Sequence, residues 1–153
     1  MLNLYWKSKD QTRNLLLMPF QNEKEFESYI YRNQDLLPDI FILYRQIQTG
    51  NKQGIPDMLG VDQESRICII EMKNVEVSEE ILPQVLTYAM WAETNPDSIK
   101  AIWLEAKNRP EDIKIEWDAL EVRIIVIAPA FKSSVLKLSS KINYPLDLVQ
   151  VRR

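Results

Sequence analysis

Apolar positions recur along the chain at two spacings, one near 3.6 and one near 2. In residues 3–6 and 15–20 they flank the polar stretch KSKDQTRN, which predicts an N-terminal β-hairpin. Residues 21–37 place Phe26 and Ile30 on related turns ahead of Pro38, predicting an amphipathic helix that ends at that proline. Residues 40–48 form a strand-like run, and TGNKQG (49–54) is a turn-rich loop. Residues 55–61 and 66–73, joined by the polar DQES turn, predict an antiparallel hairpin. Pro83 falls in the first turn of a helix running to about Glu93, and Asn95-Pro96 stops it. Residues 99–105 predict a strand. Residues 108–121 are charged, their middle ambiguous between strand and helix. Residues 123–128 are nearly all apolar and rich in β-formers, predicting an interior strand. After Pro129, Phe131, Val135, Leu138 and Ile142 keep i, i+4, i+7, i+11 spacing, a helix, and residues 146–151 give a last strand. Strands bracketed by helices make an α/β domain with a central sheet. No repeat or Gly/Ser/Pro-rich linker divides it, so 1–153 reads as one domain with residues 1–20 as a hairpin extension.

Composition narrows the chemistry. The 153 residues contain no histidine, one cysteine and three glycines. That excludes Ser–His–Asp and Cys–His nucleophilic sites, HExxH and CxxC…CxxC zinc sites, and the glycine-rich phosphate loops. Carboxylates, lysines, arginines, hydroxyls and an oxygen-ligated metal remain. The first ten residues lack a signal-peptide core and no apolar run reaches the ~18 residues of a membrane span, so a cytoplasmic protein is expected, with no membrane partner. Net charge is −3, yet from Arg123 to Arg153 six basic residues face one acid, Asp147. A locally positive element on an acidic body can meet a polyanion. Lys137 and Lys141, flanking the core stripe of the last helix, are the candidate phosphate contacts, against a reading as plain solvated surface.

The hairpin over 55–73 carries the sharper signal. If its turn pairs Asp62 with Arg66, paired residue numbers sum to 128, and Asp57 stands opposite Glu71. Side chains two apart share a face, which adds Lys73 to the pair. The intervening Ile67, Cys68, Ile69 and Ile70 are apolar on both faces, so the strand is expected to be covered on both sides. Ionised groups at the edge of such a core are costly unless paired or metal-bound. Asp57, Glu71 and the main-chain carbonyl of Met72 form a hard oxygen set suited to Mg²⁺ or Mn²⁺. Lys73 would orient a water or stabilise charge on a phosphoryl group. The plainer alternative is a structural ion cluster at a strand end. On the following helix Gln84, Tyr88 and Trp91 share a stripe; Trp91 reads as sheet packing, whereas Gln84 and Tyr88 point polar groups toward the Glu71 end.

These residues resemble a family. Ile55, Pro56 and Asp57, then Glu71, Met72 and Lys73 after fourteen residues, match the P-D…(D/E)-x-K signature of the PD-(D/E)XK nucleases, which share the restriction-endonuclease-like fold. Gln84 and Tyr88 match the Q-x-x-x-Y extension of several of its branches. The string GIPDMLGVDQESRICIIEMKN…QVLTYAMW is most similar to the nuclease domain of archaeal and bacterial single-strand and mismatch endonucleases. The resemblance runs from about Glu23 to Val151. It implies a central mixed sheet flanked by helices and a Mg²⁺- or Mn²⁺-dependent deoxyribonuclease, with Asp57, Glu71, Lys73, Gln84 and Tyr88 catalytic. It also implies a glutamate from the first helix, Glu23 or alternatively Glu27, which share a helix face. The implied partners are DNA, single-stranded or structured, with a homodimer or an accessory DNA-binding subunit as the assembly. The alternative function is a catalytically silent nucleic-acid-binding or accessory subunit that keeps the fold.

Overall fold

The computed structural model describes residues 3–46 and 55–153. At its centre five strands run in the order β3(Ile40–Arg45), β4(Met58–Asp62), β5(Ile67–Met72), β7(Val122–Ala128), β9(Leu146–Gln150). β3, β4 and β5 pair antiparallel, whereas β5, β7 and β9 pair parallel, so the sheet is mixed. The parallel half needs crossovers. The first is α2(Ile81–Thr94) followed by α3(Pro96–Glu105); the second is α4(Ser133–Ser139). A two-residue parallel ladder, β6(Glu76–Val77) with β8(Ala130–Phe131), lies beyond the ends of β5 and β7.

β4 and β5 are buried at every position, as the two apolar faces of 67–70 require. Ile67 and Ile69 pack with Val85, Ala89 and Ala92 of α2, Ile99 and Trp103 of α3, and Val135 of α4. Cys68, Ile70 and Met72 face the other way, against Phe26 and Ile30 of α1(Glu23–Arg32). Burial pushes the Cys68 thiol up to about 12, so it is an inert core group. At the start of the parallel strands Asp62, itself buried, accepts from Arg66 Nε at 2.8 Å and Arg123 NH1 at 3.4 Å. Arg123 continues to Asp147 at 2.6 Å, tying β4, β7 and β9 together at that end.

The β4–β5 register is the one expected from the sequence: Met58↔Ile70, Leu59↔Ile69, Gly60↔Cys68 and Val61↔Ile67 all sum to 128. Several boundaries differ from expectation. The N-terminal hairpin is β1(Leu4–Lys7) with β2(Thr12–Leu15), closed by a Ser8–Gln11 turn, so residues 16–20 are not strand. The first helix ends at Arg32 rather than 37; Asn33 leaves helical backbone and a 3-10 turn, Gln34–Leu36, follows. Residues 99–105 are not a strand but the body of α3. Pro96 at its first turn both stops α2 and starts this helix, and the i, i+4 pair Ile99 and Trp103 is buried. The ambiguous 108–121 segment holds neither helix nor strand. α4 begins at Ser133, because Phe131 is taken by β8. The expected strand over 40–48 extends to Arg45, and its last two residues, like the TGNKQG loop, lie outside the described residues.

Candidate metal and phosphate site

The sequence-selected residues meet where β4 begins and β5 ends. Asp57 immediately precedes β4, and two strands fix it. Its carbonyl accepts from Gln46 N beside β3, and its Oδ2 accepts from the Met72 amide of β5, both at 2.8 Å. The side chain thus carries on the ladder by one rung after the main-chain pairing stops at Met58↔Ile70. Pro56 before it has no amide to donate, consistent with a strand that starts two residues later, at Met58.

Glu71 lies on β5, paired on its other side to Val126 of β7. It shares the face of Ile69 and points beneath α2. There Gln84 Nε2 donates to Glu71 Oε1 at 3.1 Å and to Tyr88 Oη at 2.8 Å. One amide therefore spends both hydrogens joining carboxylate to phenol, and the i, i+4 spacing of Gln84 and Tyr88 makes this possible. Asp57 and Glu71 are 3% and 1% exposed. Carboxylates so buried demand compensation.

Lys73 supplies part of it. Its amide donates to Ile127 O at 2.9 Å, which locks the backbone just past the strand. Its Nζ lies 3.5 Å from Glu71 Oε1 and 4.0 Å from Glu23 Oε1. Glu23, at the first turn of α1, is thereby brought to the group. Glu27 is buried one turn on, among Phe26 and Ile30. Of the two first-helix acids, Glu23 is the one in ion-pair reach of Lys73. The resemblance puts Glu23 first, with Glu27 as the alternative on the same helical face.

A recess of about 270 Å³ opens beside the group, lined by Lys73, Gln84, Ser78, Glu80 and the apolar Val77 and Ile81. Lys137 on α4 and Lys141 just past it are exposed. Their link to this end runs through Ser134, whose hydroxyl donates to Glu79 ahead of α2. Among the described residues, no three His, Cys, Asp or Glu side chains converge as a metal-holding group. Asp57 and Glu71 bring two buried carboxylates, both hard oxygen donors, to this end of the sheet. Mg²⁺ characteristically takes one or two carboxylates and completes its shell with water and substrate phosphate, so the residues present fit that ion. One contact next to the site had no sequence signal: Asn74 Nδ2 donates to Phe20 O at 3.1 Å, fastening the segment before α1 against the end of β5.

No family model and no curated protein sequence matches this chain. Solved structures do. A repair endonuclease from Pyrococcus abyssi is similar at TM-score 0.55 and 22% identity, over 92% of this chain and 51% of that one. EndoMS in complex with double-stranded DNA is similar at TM-score 0.55 and 18% identity, over 95% of this chain and 49% of that one. EndoMS without DNA gives 0.51 and 19%, over 89% and 49%. The chain thus spans about half the length of these endonucleases, and it shares with that half an α/β fold built on a mixed sheet.

Proposed function

We propose that this chain is a metal-dependent endonuclease domain that hydrolyses DNA phosphodiesters, of the PD-(D/E)XK type. The observation that carries the reading is the convergence of Asp57, Glu71 and Lys73 at one end of β5, on a fold shared with DNA-repair endonucleases. Asp57, Glu71 and the Met72 carbonyl would hold Mg²⁺ or Mn²⁺, with Glu23 reaching it directly or through water. When bound, such an ion neutralises charge on the phosphoryl group and acidifies a water.

The side chains divide the remaining work. Lys73, held between Glu71 and Glu23, keeps its ammonium at the mouth of the group, where it orients the attacking water and offsets phosphoryl charge. Gln84 fixes the Glu71 carboxylate through Oε1. Because Tyr88 Oη accepts from Gln84, its own hydrogen is directed away from that amide, available to the substrate strand. Lys137 and Lys141 give phosphate contacts away from the reacting centre, which add affinity without reading sequence.

The test is cleavage of supercoiled and single-stranded DNA with Mg²⁺ or Mn²⁺. Asp57→Asn and Lys73→Ala should each lower the rate by about 10²–10⁴-fold, and EDTA should stop it. Cleavage that survives EDTA and both substitutions would overturn the mechanism. Binding without cleavage under any metal would favour the accessory, non-cutting alternative.

A further inference from the structure

We propose that Gln46 is a further residue of the cation site, its side-chain oxygen placed to accept a hydrogen from water on the metal ion. The inference rests on the nuclease reading above and adds to it a neutral positioning residue from the end of β3.

β3 ends at Arg45, yet its pairing with the chain ahead of β4 goes on one rung further. Tyr44↔Leu59 and Arg45↔Met58 are ladder partners, and Gln46 N then donates to Asp57 O at 2.8 Å. Gln46 therefore stands opposite Asp57, as Asp57 stands opposite Glu71. Residues opposite in an antiparallel pair share a face, with Cβ atoms about 5 Å apart.

The preceding rung shows which face. Met58 belongs to the core under α1, and Arg45 reaches the same helix: its NH2 donates to Ser28 Oγ at 3.0 Å and its guanidinium lies over the Tyr31 ring. Alternation sends Gln46 and Asp57 to the other side, that of Leu59, Ile69 and Glu71 beneath α2. One row across β3, β4 and β5 thus reads Gln46, Asp57, Glu71.

Gln46 Oε1 is fully buried and has no hydrogen-bond partner among the described residues. A buried amide oxygen without a donor is rare in a folded protein, and where one occurs an ion or a water commonly explains it. The rest of the row says which. Two buried carboxylates beside it favour a cation over any anion, and an amide oxygen is itself a hard donor. Hydrated Mg²⁺ gives up its waters reluctantly, and their hydrogens point outward, which is what a buried acceptor beside the ion needs. Gln46 fixes such a water without adding charge to a place that already holds two acids. A glutamine there only for the fold would be bonded within it, as Gln84 Nε2 is by Glu71 and Tyr88.

Mn²⁺ titration of the full chain, followed by calorimetry or electron paramagnetic resonance, decides it, with melting measured with and without the ion. Wild type should bind Mn²⁺, and Asp57→Asn should weaken that binding. Gln46→Leu, which keeps most of the volume and removes the acceptor, should weaken it by about 10-fold. The rise in Tm on adding Mn²⁺ should shrink accordingly, while the metal-free Tm stays at or above that of wild type, because a buried unsatisfied group has gone. Gln46→Glu, which returns an oxygen and adds a charge, should bind Mn²⁺ at least as tightly as wild type. If Gln46→Leu binds as wild type does while Asp57→Asn does not, the Gln46 proposal is overturned and the nuclease reading stands. A drop in the metal-free Tm of Gln46→Leu, with Gln46→Glu losing affinity as well, marks a structural residue and overturns the proposal too. A wild type that binds no Mn²⁺ overturns the metal-dependent reading, and this proposal with it.

Discussion

Gln84 is the residue on which the geometry of the group turns. Its amide nitrogen bridges Glu71 Oε1 and Tyr88 Oη, so the carboxylate's angle under α2 depends on a neutral side chain of intermediate burial. Gln84→Ala removes the bridge without removing charge. The expected result is a cleavage rate lowered by about 10–100-fold, with DNA affinity little changed, because positioning errors cost rate rather than binding. Single-turnover kinetics alongside equilibrium binding would check this; equal losses in both would mean that Gln84 holds substrate. Most of this group was legible from the sequence. The β4–β5 register placed Glu71 opposite Asp57, and the i, i+4 spacing paired Gln84 with Tyr88. What the register did not hold was the Asp57 side chain bonding to the Met72 amide, since a ladder describes main chain and this rung is half side chain.

Among the elements, strands buried on both faces were read more faithfully than helices. β4, β5 and β7 announce themselves by apolar runs bounded by turn residues. α3 does not, because Ile99, Ile102 and Trp103 favour strand by residue type, and only their spacing favours helix. Tertiary packing of Ile99 and Trp103 decides for the helix. The pairing of β3 with β4 depends on a different feature, the absence of a side chain at Gly60. A Cβ there would sit 2.5 Å from Ile40 Cγ2 and 3.0 Å from the Phe41 carbonyl. Neither neighbour is the free end of a flexible chain, and β3 is already irregular between Ile42 and Tyr44. Gly60→Ala should therefore destabilise by about 1–3 kcal/mol, the usual cost of overpacking. Urea denaturation monitored by tryptophan fluorescence would measure it, and an unchanged midpoint would show that β3 moves aside freely.

Over the whole molecule, the two ends of the α/β body are fastened to each other. Arg153 NH2 pairs with Glu25 Oε1 at 2.8 Å and its guanidinium stacks over Phe20, 4.3 Å from the ring centroid. The Gln21 amide, then Arg153, holds the Glu25 carboxyl below its ordinary 4.5. A depressed carboxyl stabilises the fold above its unfolded-state pKa, and that contribution disappears as pH falls through the folded-state value. Wild type should therefore melt slightly above Glu25→Gln at neutral pH, and the gap should narrow as the solution is acidified below the ordinary carboxyl value. A gap that persists in acid would assign the effect to packing of the side chain rather than to its charge.

That fastening has a consequence for how the domain can be rearranged. Met18 and Arg153 exchange main-chain and side-chain hydrogen bonds, Met18 N to Arg153 O and Arg153 Nε to Met18 O, so the segment leading into the body and the segment leaving it lie side by side. A unit whose two leads emerge together can be spliced into a host loop, or closed by a short linker and reopened elsewhere, without disturbing β3 to β9.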